Sequence, residues 1–162
     1  MNVTIIGAGI SGLGLAIKLE KYKINYEIIE QTENLGGIWN IKNNIANKFS
    51  NVQTMSQTYK IEDDKNEYSQ YTNIDEIYNK IYDNFEKYNI LDKIKYNIKL
   101  ESFESLENNK VKLILKDLSN NTTYEKITDA LYIRTGTLNK KREVILQNED
   151  KFDGQILYGS NN

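Results

Sequence analysis

Cysteine, histidine and proline are all missing from these 162 residues, and the first two absences close off whole kinds of chemistry. Without cysteine there is no disulfide, no redox-active thiol pair and no thiolate metal site. Without histidine as well, a zinc centre or a Ser–His hydrolase lacks the ligands or the base it needs. A reducing, cytoplasmic setting is the natural expectation for such a chain. Excess charge of one sign is also missing. The 21 Lys and Arg against 23 Asp and Glu leave a net charge of −2, which gives no general attraction to nucleic acid or an anionic membrane. No apolar run reaches membrane length. The opening apolar stretch lacks the basic start and small-residue cleavage site of a signal peptide, and no repeat or low-complexity block intervenes.

What is present is a globular balance, 39% hydrophobic and 27% charged, in a chain long enough for one domain over 1–162 with a real core. Its informative stretch is Val3-Thr4-Ile5-Ile6-Gly7-Ala8-Gly9-Ile10-Ser11-Gly12-Leu13. A β-branched run leads into Gly-x-Gly-x-x-Gly, and an apolar helical pattern follows at once. In a dinucleotide site Gly7 allows the tight turn off the strand and Gly9 leaves room for a pyrophosphate. Gly12 lets the helix pack closely on the strand. The free N–H groups and positive dipole end of that helix hold the phosphates. A second strand, Tyr26-Glu27-Ile28-Ile29-Glu30, ends in an acid about twenty residues past the glycines, where a ribose-binding carboxylate belongs. A strand-to-helix turn with no ligand is the bland alternative, which the register of strand, glycines, helix and acid argues against.

Farther along, Asn40 to Asn73 shows no strong period, a long connection for a compact domain. Asn73 then reads as an N-cap with Glu76 three residues on, as in a capping box. Ile74, Ile77, Tyr78, Ile81, Tyr82, Phe85 and Tyr88 recur at helical spacing, and this aromatic stripe reads as core packing. Lys95 to Phe103 alternates as a strand. Lys110–Lys116 and Thr122–Ile127, joined by the turn residues 117–121, read as an antiparallel hairpin. The expected class is α/β: a Rossmann-like domain with a parallel sheet and an added antiparallel β-hairpin.

Directly after the second strand comes Leu35-Gly36-Gly37-Ile38-Trp39, a glycine pair that a nicotinamide-binding unit does not need. Here the chain resembles the flavin-containing and Baeyer–Villiger monooxygenases, which join Gly-x-Gly-x-Ser-Gly-Leu and an acid to Gly-Gly-x-Trp. The resemblance implies that FAD is the cofactor. Gly7, Gly9, Ser11 and Gly12 would hold its pyrophosphate and Glu30 its ribose, and Gly36, Gly37 and Trp39 would line the path to the flavin. It implies flavin contacts at Gln53 and Thr54, although polar residues solvating a surface loop explain that segment equally well. Leu100 would lie on the strand that brings backbone to the adenine. Thr135 and Gly136 would lie at the family's Ala-Thr-Gly, where the chain leaves the FAD domain.

The likeness is to the N-terminal part of the family, and it has gaps. Arg134 stands where the family has alanine, and Tyr158 closes Phe152-Asp153-Gly154-Gln155-Ile156-Leu157-Tyr158 where Phe-x-Gly-x-x-x-His is the pattern. There is one Gly-x-Gly-x-x-Gly, so the family's second, NADPH-binding domain has no fingerprint here. Three readings follow: an FAD-binding oxidoreductase not competent for NADPH-dependent oxygenation alone, a non-catalytic remnant serving as a nucleotide-binding or interaction module, or a simple NAD-binding unit. No side chain stands out as a catalytic acid or base, and no metal site is expected. An open flavin face implies self-association or a partner chain that covers it.

Overall fold

The computed structural model describes residues 1–40, 42, 51–53, 71–136 and 146–154, with 51–53, 71 and 72 described by their backbone alone. In chain order the elements are β1 (Asn2–Ile6), α1 (Ile10–Lys21), β2 (Asn25–Ile29), β3 (Asn51–Gln53), β4 (Tyr71–Asn73), α2 (Ile74–Lys87), β5 (Ile94–Lys95), β6 (Ile98–Ser105), β7 (Val111–Asp117), β8 (Thr122–Thr128) and β9 (Ala130–Ile133). A parallel sheet in the order β5-β2-β1-β9 forms the middle layer. Its strands alternate between two buried faces. Val3, Ile5, Tyr26 and Ile28 meet Leu13, Ala16 and Ile17 of α1 and Ile77, Ile81 and Phe85 of α2 in one core. Ile6 and Ile29 point the other way, onto Leu113 and Leu115 of β7. Burying each such side chain contributes about 1.5–3 kcal/mol, so a sheet apolar on both faces needs a cover on each.

The second cover is the antiparallel sheet β6-β7-β8. The expected hairpin is present as β7–β8, with β6 as a third strand. The single strand expected over Lys95–Phe103 is divided in two: Lys95 pairs with Ile29 in the parallel sheet, whereas Ile98 opens the antiparallel one. Asn97 lies between them at φ 58°, a left-handed conformation that asparagine tolerates, and the chain changes layers there. Glu27 bridges the layers. Its carboxylate lies 2.8 Å from Lys95 of β5 and 2.8 Å from Lys126 of β8, and it accepts a hydrogen bond from Thr4 Oγ1 at 3.2 Å.

The capping signal before α2 is half realised. Asn73 Oδ1 accepts the Glu76 N–H at 2.8 Å, while the Glu76 carboxylate reaches Lys80 at 3.4 Å. Among the described residues no helix is long and apolar enough to cross a membrane.

Candidate functional site

β1 lies between β2 and β9, so its neighbours are reached in opposite directions from its C-terminal end. In an open α/β sheet a crevice forms at such a switch point, and residues 7–9 occupy it. Gly7 donates its N–H to Ile29 O at 2.8 Å and has φ +105°; a Cβ there would stand 2.6 Å from the Arg134 carbonyl oxygen. A Cβ on Gly12 would stand 2.1 Å from the Gly7 carbonyl oxygen, so α1 can lie this close to β1 only with glycine at that position. Gly9 differs: a Cβ there would meet nothing nearer than Gly37 Cα at 3.8 Å, an ordinary contact. The protein's own packing therefore does not require glycine at this position. α1 begins just past it with no side-chain cap and no acid in its first turn, so the helix supplies no negative group of its own to the positive end of its dipole.

The second glycine stretch is docked onto the first. Gly36 N–H donates to Ala8 O at 2.8 Å, and a Cβ built on Gly37 would lie 3.4 Å from Gly9 Cα. Both residues of the pair have positive φ, +104° and +58°, a conformation that side chains with a Cβ resist. The two stretches, which the sequence separates by β2 and α1, thus form one glycine-lined cradle at the helix N-terminus.

Glu30 fastens the cradle from below. It is 7% exposed; Oε2 accepts the Ala8 N–H at 2.8 Å, and Oε1 accepts the Thr32 N–H and hydroxyl, each at 2.9 Å. The carboxylate assigned to ribose therefore also holds the glycine loop. Behind the cradle stand tyrosines. Burial raises the Tyr78 pKa, with Tyr82 adding to the effect. The hydroxyl of Tyr96 is pushed up to about 12 by burial, then by Tyr78, Glu30 and Tyr82. Neither group is a base near neutral pH.

The structure brings together Gly7, Gly9, Gly12, Glu30, Gly36 and Gly37, and it sets Thr135 beside them, with its N 3.4 Å from a Cβ built on Gly7. Gly136 follows, exposed, at φ +85°. Ser11 is exposed in the first turn of α1. Trp39 is half-buried against the helix-side core. Leu100 pairs with Leu115 on β6 and packs beneath the parallel sheet with Ile6 and Ile29, on the face opposite α1. Gln53 ends β3, paired with Tyr71. Thr54 and the stretch from Gln155 to Tyr158 lie outside the described residues.

This geometry is that of a Rossmann-like fold, and residues 5–66 match the NAD(P)-binding Rossmann-like domain family. Senecionine N-oxygenase of Tyria jacobaeae is 41% identical over 59 residues, 36% of this chain and 13% of that protein. The probable FAD-binding monooxygenase AlmA of Acinetobacter sp is 49% identical over 43 residues, 25% of this chain and 9% of that protein. Among solved structures, OTEMO in complex with FAD and NADP matches 99% of this chain and 30% of its own at 20% identity, with a TM-score of 0.74. Tmm from Pelagibacter sp. strain HTCC7211 matches 96% and 40% at 23% identity, with a TM-score of 0.75. At these identities the structural likeness is one of fold. The chain resembles flavin-dependent monooxygenases in sequence and in fold, and spans well under half the length of the relatives it matches.

Proposed function

We propose that the chain is an FAD-binding oxidoreductase-like unit. The observation that carries this reading is the docking of Gly36–Gly37 on Ala8–Gly9, which lines the mouth of an uncapped helix with glycine, including Gly9, where the protein's own packing does not demand it. Gly7, Gly9, Ser11 and Gly12 hold the pyrophosphate, and Glu30 faces the ribose with acceptor capacity left on Oε2. Gly36, Gly37 and Trp39 border the path toward the flavin ring, and the family resemblance adds Gln53 and Thr54 as flavin contacts. Thr135 and Gly136 flank the glycine turn, and Leu100 marks the strand on the adenine side. Bound FAD supplies the redox chemistry; the chain's own residues bind and orient it, and no side chain is assigned as acid or base.

Two other readings have support of their own. The family match favours NAD(P) as the nucleotide, and Arg134, exposed where the related monooxygenases have alanine, favours a binding module without turnover. One preparation separates them. The expected outcome is a yellow protein, or a colourless one that takes up FAD to one equivalent and prefers it to NAD. Tighter binding of NAD would favour the simple Rossmann reading, and saturation with FAD but no reduction by any donor would favour the module.

We further propose that self-association or a partner chain covers the open flavin face, and that a second copy reaches it along the edge of β9. That strand pairs only with β1 among the described residues, and Tyr132 and Ile133 on it are exposed.

A further inference from the structure

The α2 tyrosine stripe reads as core in the sequence, and Ile77, Ile81 and Phe85 of that helix fill the core as expected. Tyr78 packs against the edge of that core as well, and it does something more. Its ring stands 2.9 Å from where a Cβ on Gly36 would lie, and Asn40 Cβ stands 3.3 Å from the same point. Asn40 is buried; its Nδ2 donates to Leu35 O at 2.8 Å, and its Oδ1 accepts the Lys42 N–H at 2.9 Å. The loop that carries the second glycine pair is thus gripped from both sides. The Ala8 carbonyl holds Gly36 from one side, and the Tyr78 ring with the Asn40 Cβ walls its other side while the Asn40 amide ties down Leu35.

We infer that Tyr78 and Asn40 are positioning residues for the nucleotide: they fix Gly36–Gly37 against Gly9, which makes α2 part of the binding site. The inference rests on the FAD reading above, since the cradle they hold is the one assigned to the cofactor. The mechanism is preorganisation. Two adjacent residues at positive φ are held before the ligand arrives, so their ordering does not count against binding.

The chain carries its own reporter, because its single tryptophan, Trp39, ends the 3-10 turn that Gly37 begins. In nucleotide-free protein, Tyr78→Ala is expected to shift Trp39 emission to longer wavelength and make it more accessible to acrylamide, with the far-ultraviolet circular dichroism unchanged. The same variant is expected to weaken FAD binding roughly tenfold or more, whereas Tyr78→Phe, which keeps the ring against Gly36, restores both properties. Asn40→Ala leaves α2 intact and is expected to give the same pair of changes should Tyr78→Ala fail to fold. Wild-type protein that binds FAD while the folded variants bind it equally well, or with Trp39 unmoved, overturns this inference alone. Wild-type protein that binds no FAD overturns the functional reading and this inference with it.

Discussion

Three glycines of one motif have three separate causes, and substitution separates them. Gly12 is required by the protein, because a methyl group there would lie 2.1 Å from the Gly7 carbonyl oxygen; Gly12→Ala is expected to cost about 3 kcal/mol or more. Gly9→Ala meets only an ordinary contact and is expected to change stability by no more than about 1 kcal/mol. It nevertheless places a methyl in the phosphate path, so FAD affinity is expected to fall roughly thirtyfold or more. Urea unfolding and FAD titration of the two variants check both statements, and a Gly9→Ala protein that is stable and binds FAD normally would falsify the phosphate assignment. Glu30→Ala is a blunter probe, since Glu30 also holds the Ala8 and Thr32 backbone; it is expected to lower stability and affinity together. The sequence makes all four positions legible because the motif is local. It hides the grip of Glu30 on the Ala8 and Thr32 backbone, which depends on where the loop returns to the end of β2.

At the scale of elements, the strand–helix–strand opening and α2 are plain in the sequence because each is set by short-range periodicity. The passage from β5 to β6 is not, because a strand that switches sheets keeps the same alternation on both sides of Asn97. The contact between layers is likewise long-range. Glu27 on β2 meets Lys126 on β8, and no local pattern pairs them. Burial raises the Glu27 pKa, but Lys126 and Lys95 outweigh it and hold the carboxyl below its ordinary value. A folded-state pKa below the unfolded one stabilises the protein above the unfolded value, near 4.5, and that contribution is lost as pH falls through the lower, folded one. Glu27→Gln is therefore expected to cost about 1–3 kcal/mol near neutral pH. The difference from wild type should close as pH falls through and below the ordinary carboxylate range. Thermal melts of both proteins from pH 7 to pH 3 check this, and a constant difference across that range would remove the ion pairs as its cause.

For the whole molecule, the decisive fact is that a parallel sheet with two apolar faces is covered by helices on one side and by a three-stranded sheet on the other, while β9 has one partner strand among the described residues. An edge of this kind with exposed Tyr132 and Ile133 favours association. Sedimentation at micromolar concentration is expected to show a dimer, and Ile133→Lys to shift it toward monomer; a wild-type monomer throughout would dismiss the second copy. The sequence by itself determined the Rossmann-like opening, the glycine turn and the position of the acid, because strand, turn and helix N-terminus are consecutive and each is dictated by its own residues. Only the tertiary structure decided that Gly36–Gly37 seats on Ala8–Gly9, that Tyr78 walls Gly36 from α2, and that Leu100 packs beneath the sheet. Those contacts join residues far apart in the chain, and it is the packing of whole layers, not any local preference, that brings them within reach.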